Sequence, residues 1–203
     1  MASMQNELVE LLRAQNAHPR DIAYAAANIP REFWDITREN IEKSNGNSLV
    51  FDYVTKYVDD LHTKIAAGEG LTMMGLPKSG KTLFGCAILK SVAITPGTLH
   101  RDYHVIRVNY DAIMEDFDHV RSEQDSYMEL RNTLQRADLL FIDSISYTAP
   151  SRIMLTVARM RRDFRKATIL ATSIADQTKL SQLRAQEIID VFKDVNKVFM
   201  VGR

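Results

Sequence analysis

One stretch of this chain pairs residue types and spacing that can hold phosphate: Gly75-Leu76-Pro77-Lys78-Ser79-Gly80-Lys81-Thr82. Glycines at its ends let the backbone curl tightly enough to aim several N–H groups at phosphate oxygens. A helix opening directly behind the loop adds its partial positive charge. In this Walker A spacing Lys81 reaches the β- and γ-phosphates and the hydroxyl of Thr82 ligates Mg²⁺. Gly75 through Thr82, with Leu83 beyond them, make up the expected nucleotide contacts, and ATP with Mg²⁺ is the expected ligand pair.

A second element belongs with the first. Asp138-Leu139-Leu140-Phe141-Ile142-Asp143 is an apolar run closed by an acid, the Walker B pattern. An acid at the end of a buried strand lies at the rim of a sheet, so Thr82 and Asp143 are the expected metal ligands. Cys86, one turn into the helix after the loop, reads as a small core residue rather than a nucleophile.

These residues need a scaffold, and the hydrophobic pattern describes one. Short apolar runs at Leu71–Met74, Val105–Tyr110, Leu139–Ile142, Thr168–Ala171 and Val198–Val201 alternate with helical patterns. That alternation predicts an α/β domain: a five-stranded parallel sheet between helices. The spacing also predicts a single long helix over Ser48–Ala67, closed by Gly68-Glu69-Gly70. Ahead of it, two short helices over Met4–Gln15 and Asp21–Asn28 form an N-terminal segment, residues 1–30, that either packs back on the main domain or offers a docking element to a partner. Residues 31–203 form the expected ATPase domain. No helical pattern follows the fifth run, so no C-terminal helical lid is expected.

Bulk properties narrow the setting. Lys plus Arg balances Asp plus Glu at 26 each over 203 residues, so a nucleic-acid surface has to come from local clustering. With one cysteine, no disulfide framework is available, and no stretch approaches membrane-spanning length. A cytoplasmic protein with no membrane partner is expected. Clustering does occur over Ser151–Lys166, a helix with Ser151 as its cap and Ile153, Val157, Met160 and Phe164 as its apolar face. Arg152, Arg159, Arg161, Arg162, Arg165 and Lys166 are the expected contacts to nucleic acid or a neighbouring subunit. No aromatic platform for base stacking is evident on this helix.

The order of these motifs resembles the DnaC/IstB group of AAA+ ATPases, the bacterial and phage helicase loaders and their transposition relatives. The resemblance runs from Ile29-Pro30-Arg31-Glu32-Phe33-Trp34-Asp35 through Walker A, the Val105–Val108 strand with the helix from Asp111, and Walker B. It continues through the arginine-bearing helix into Thr168-Ile169-Leu170-Ala171-Thr172-Ser173. It implies a P-loop NTPase of the AAA+/RecA-like ASCE type, with Ser173 at the family's γ-phosphate sensor position beside Lys81 and Asp143 as catalytic groups. It also implies a DnaB-type replicative helicase and single-stranded DNA as partners, and a homo-oligomer or helicase-templated ring or spiral.

Three departures from that family stand out. Ser144 follows the Walker B acid where a second acid usually orients the attacking water, so slow hydrolysis is expected, with Asp111 a candidate substitute. Ile188-Ile189-Asp190-Val191 carries valine where the family has its trans-acting arginine, leaving Lys193, Arg184 or the helix arginines as replacements. The N-terminal helicase-binding domain is reduced to about thirty residues. Two other readings share the phosphate loop: an ATP-switched assembly factor on duplex DNA of the transposition type, and a small-molecule kinase using Gln124–Arg136 as a lid with Arg131 and Arg136.

Overall fold

In the computed structural model, which describes residues 2–36, 41, 47–94, 103–119, 124–146, 150–173 and 186–202, all five apolar runs are parallel strands of one sheet. They are β1 (Gly70–Met74), β2 (Val105–Asn109), β3 (Leu139–Ile145), β4 (Ala167–Thr172) and β5 (Asn196–Met200). Their order across the sheet is β2-β3-β4-β1-β5. The chain therefore leaves β1, passes over β4 and β3 to reach β2, and fills the gap on its way back. The registers align Met74 with both Thr172 and Met200, and Asn109 with Asp143. All five carboxyl ends thus open on one rim, where open α/β sheets bind their ligands.

Each strand is buried on both faces except at the β5 edge. Phe141 points to one side, with Leu71, Met73 and Ile169, into a core completed by Phe84, Ile88, Leu89 and Tyr57. Leu140, Ile142 and Leu170 point to the other, against Ile113, Phe117, Met154, Val157 and Ile188. This period-two alternation explains why the strands read as continuous apolar runs: both faces have helices to meet. The helices around the sheet are α3 (Ser48–Asp59), α4 (Leu61–Ala67), α5 (Lys81–Ile94), α6 (Tyr110–His119), α7 (Gln124–Arg136), α8 (Arg152–Asp163) and α9 (Gln186–Phe192). The single helix expected over Ser48–Ala67 is broken at Asp60, whose φ of −116° leaves the helical path. The apolar spacing survives the break, and Val54, Tyr57, Leu61 and Ile65 all reach the same core.

Before these lie α1 (Ala2–Ala14) and α2 (Pro19–Ala26). Pro19 opens α2, where a missing N–H costs nothing, and the His18 ring accepts the Arg20 N–H at 3.1 Å. Val9 and Leu12 of α1 meet Ala25 of α2, while Tyr24, Ala27 and Ile29 join the core around α5. The attachment is also polar. Lys90 of α5 sends its ammonium to the carbonyls of Phe33, Trp34 and Ile36, and Asn28 donates its amide to the Arg107 carbonyl at 2.9 Å. Among the described residues no helix is long and apolar enough to cross a membrane.

Candidate nucleotide-binding site

Gly75 leaves β1 with φ of 157° and sits so close to the β5 end that a Cβ would stand 2.2 Å from the Val201 carbonyl oxygen. Only glycine fits there. Val201 in turn donates its N–H to the Met74 carbonyl at 2.7 Å, fixing the root of the loop. Gly80 returns the chain at φ of 98°, and the Phe84 N–H bonds back to its carbonyl at 3.0 Å as α5 begins. Between the glycines, Leu76, Pro77 and Lys78 are exposed at the loop tip. A cavity of about 240 Å³ runs between this tip and the β5 end, with Leu76, Pro77, Ser79, Met200 and Gly202 in its wall. A larger hollow of about 470 Å³ lies along α7 beside His104 and contains none of the phosphate-loop residues, so it is not this site.

Lys81 folds back over its own loop, donating to the Gly75 carbonyl at 2.9 Å, the Leu76 carbonyl at 2.7 Å and the Ser79 hydroxyl at 3.2 Å. Burial lowers the Lys81 ammonium from its ordinary pKa, and the charge of Asp143 opposes that shift. The loop is thus braced around the cation that phosphate oxygens would engage.

Asp143 ends the apolar part of β3, and Thr82 donates its hydroxyl to the Asp143 Oδ1 at 3.1 Å. A threonine hydroxyl and a carboxylate beside a phosphate loop are the hard oxygen donors Mg²⁺ takes, with waters and phosphate completing its octahedron. Among the described residues no group of three or more His, Cys, Asp or Glu could hold a metal unaided. The protein donors therefore fit a metal that arrives with a nucleotide.

The other Asp143 oxygen belongs to a residue the sequence did not single out. Arg107, on β2, donates Nε and Nη2 to Oδ2 at 3.1 and 2.7 Å, and the two side chains are 13% and 2% exposed. The signal for it is a lone cation in the middle of a short, largely apolar strand.

Ser144 adopts φ of 62°. The β3–β4 register slips here: Ile142 pairs with Leu170 but Ile145 with Thr172, so three steps on one strand match two on the other. The residue after the Walker B acid thus lies in a left-handed bulge. Asp111 lies in the first turn of α6 and its Oδ1 accepts the Ser146 hydroxyl at 2.6 Å, which brings it to the end of β3. Ser173 follows the last residue of β4 and is exposed, while the neighbouring Thr172 hydroxyl is committed to the Ile145 carbonyl at 3.1 Å. Val191 is half-buried against the second core, Lys193 is exposed just beyond α9, and Arg184 falls outside the described residues. Cys86 is buried, and burial pushes its thiol up to about 12.

The arginine helix differs from its expected form. The side facing the core carries Met154, Val157, Ala158 and Arg161; of the expected apolar face Val157 is buried there and Ile153 packs against the same core, while Phe164 does not. Arg161 is 1% exposed and cannot be a surface contact. Its guanidinium donates to the carbonyls of Leu134, Ala137 and Ala167 at 2.8, 2.7 and 2.6 Å and to the Thr168 hydroxyl at 3.0 Å. It closes the C-terminal end of α7 and the start of β4. Lys166 is paired with Asp138 at 2.9 Å. Arg152, Arg159, Arg162 and Arg165 remain exposed. Phe164 is the helix C-cap, followed by Arg165 at φ of 50°, and this turn swings its ring outward to 70% exposure. An exposed aromatic ring therefore stands beside these arginines. The segment expected to serve a kinase as a lid is α7, a regular helix that packs on α8 and is held at its end by Arg161.

No protein-family model and no curated protein matches the sequence. Solved structures do match the fold. The chain is similar to the DnaC helicase loader at a TM-score of 0.70 and 16% identity, over 85% of this chain and 99% of that one. It is similar to DnaI at 0.67 and 15% identity, over 86% and 94%. AMPPCP-bound DnaA from Aquifex aeolicus matches at 0.65 and 18% identity over 82% of this chain, which spans half of that longer protein. The fold is thus an α/β one, a five-stranded parallel sheet between helices with a Walker A loop at its carboxyl rim, similar to that of these solved structures. Its architecture is the one seen in these replication proteins.

Proposed function

We propose that this chain is a DnaC-like AAA+ protein that binds ATP with Mg²⁺ and helps deliver a hexameric replicative helicase to single-stranded DNA. The observation that carries the reading is the braced phosphate loop, with Lys81, Thr82 and Asp143 on one rim, set in a fold that matches nearly the whole length of a helicase loader. The β- and γ-phosphates are assigned to Lys81 and the loop N–H groups of residues 75–82, the metal to Thr82 and Asp143, and γ-phosphate sensing to Ser173. DnaA structures bound to AMPPCP, one of them with single-stranded DNA as well, are consistent with such ligands.

Hydrolysis is slow on this reading. Ser144 has no carboxylate with which to orient water, and Val191 supplies no cation to a neighbour's phosphate. Nucleotide state then acts mainly by changing what the protein holds. The exposed Arg152, Arg159, Arg162 and Arg165 offer charge to a DNA backbone or an adjacent subunit, and Phe164 offers a ring on which a base can stack. Residues 1–30 are the segment for helicase docking.

The test is gel filtration of the protein mixed with a replicative helicase, without nucleotide, with ADP and with a non-hydrolysable ATP analogue, for the wild type and Lys81→Ala. A complex that depends on ATP state and is lost in Lys81→Ala is expected. Absence of a complex in every state would overturn the loader reading. Filaments on duplex DNA in its place would establish an assembly factor of the transposition type.

A further inference from the structure

The carboxylate assigned to the metal is already engaged by a cation from within the chain. We infer that Arg107 is an internal counter-cation for Asp143: it competes with Mg²⁺ for that carboxylate and makes nucleotide binding less dependent on the metal. The inference rests on the nucleotide reading above and deepens it.

The geometry is specific. Three N–H or O–H donors converge on a side chain that is 2% exposed: Thr82 on Oδ1 at 3.1 Å, and Arg107 through Nε and Nη2 on Oδ2 at 3.1 and 2.7 Å. Waters around a metal would have to donate to those same lone pairs. A guanidinium and a hydrated dication cannot both saturate one buried carboxylate, and each repels the other at short range in a poorly solvated site. Arg107 also compensates the Asp143 charge when phosphates arrive without metal, so a nucleotide does not meet a bare buried anion.

Arg107 is not free to drift away from this position. Its backbone N–H donates to the Ala27 carbonyl at 2.9 Å, and its carbonyl accepts the Asn28 amide at 2.9 Å. Asn28 holds this grip in a left-handed conformation, φ of 56°, just past α2. The free edge of β2 is therefore covered by the N-terminal segment at the residue that engages Asp143. Arg107 is a positioning residue: it sets the charge on the metal carboxylate and touches no reacting atom in this arrangement.

The experiment is equilibrium binding of a fluorescent ADP analogue, once with excess Mg²⁺ and once with chelator, reported as the ratio of the two dissociation constants. The intact chain is compared as wild type, Arg107→Ala, Arg107→Gln and Arg107→Lys, each checked for folding by circular dichroism. Arg107→Ala is expected to raise the chelator-to-Mg²⁺ ratio about tenfold, since Asp143 then meets nucleotide uncompensated and is open to metal. Arg107→Gln keeps an N–H donor and much of the size, so it reports on charge alone if Arg107→Ala does not fold, and its ratio also rises. Arg107→Lys retains the cation and stays near the wild-type ratio. A ratio unchanged in both neutral variants overturns the inference while leaving nucleotide binding intact. A wild type that binds no nucleotide in either condition overturns both this inference and the reading beneath it.

Discussion

Replacing Arg161 with methionine keeps most of the side-chain volume and removes every donor from a site that is 1% exposed. Three backbone carbonyls, those of Leu134, Ala137 and Ala167, lose bonds of 2.6 to 2.8 Å, and the Thr168 hydroxyl loses one of 3.0 Å. A buried acceptor left without a donor costs about 1–3 kcal/mol, and relaxation of the α7 end with entry of water recovers part of the total. With three carbonyls and one hydroxyl losing a donor and part of that cost recovered, the expected loss for Arg161→Met is about 4 kcal/mol. For a chain of this size that lowers Tm by roughly 8–16 °C. Urea unfolding followed by circular dichroism measures it, with exposed Arg162→Met as the control, expected within about 0.5 kcal/mol of wild type. A loss below about 1 kcal/mol for Arg161→Met at unchanged m-value would refute the assignment of Arg161 as the clamp between α7 and β4.

Three further perturbations test other parts of the structure. A Cβ on Gly85 would stand 2.3 Å from the Phe141 ring, so Gly85→Ala should destabilise by about 1–2 kcal/mol despite alanine's helix preference, and Phe141→Leu in the same chain should recover part of the loss on thermal melting. Ser144 pays for a left-handed backbone, φ of 62°, so Ser144→Gly should stabilise by about 0.5–1 kcal/mol in the same assay, and a loss would place a native contact on its side chain. The Cys86 thiol keeps its proton to about 12 when folded but ionises near its ordinary 9.0 when unfolded. The unfolded chain therefore binds fewer protons between those values, so this residue's contribution to stability falls as pH rises through that window. At pH 8 a thiol reagent should label Cys86 only after unfolding in urea, and rapid labelling of the native protein would contradict its burial.

The phosphate loop could be read before any folding because its chemistry is local. Eight consecutive residues from Gly75 to Thr82 carry the glycines, the cation and the hydroxyl, and strand-then-helix patterns on either side place them. The sheet was legible for a similar reason, since both faces of β1, β3 and β4 are covered and their sequences show it as unbroken apolar runs. The break at Asp60 was not legible, because the apolar spacing continues through it and both halves meet one core.

What only the tertiary structure decided concerns the arginines. The five guanidiniums between Arg152 and Arg165 look alike in the sequence, yet Arg161 is buried because the α7 end and the start of β4 leave carbonyls around it, while Arg159 and Arg162 on the same helix face solvent. Phe164 has the spacing of a core residue, but the helix ends at that residue and its ring turns outward. Arg107 and Asp143 lie on different strands that become neighbours only in the order β2-β3-β4-β1-β5. Residue type and local period determined where the phosphate-loop pattern falls; strand order determined which charge stands opposite Asp143, since a Coulomb partner is chosen by distance in space and not along the chain.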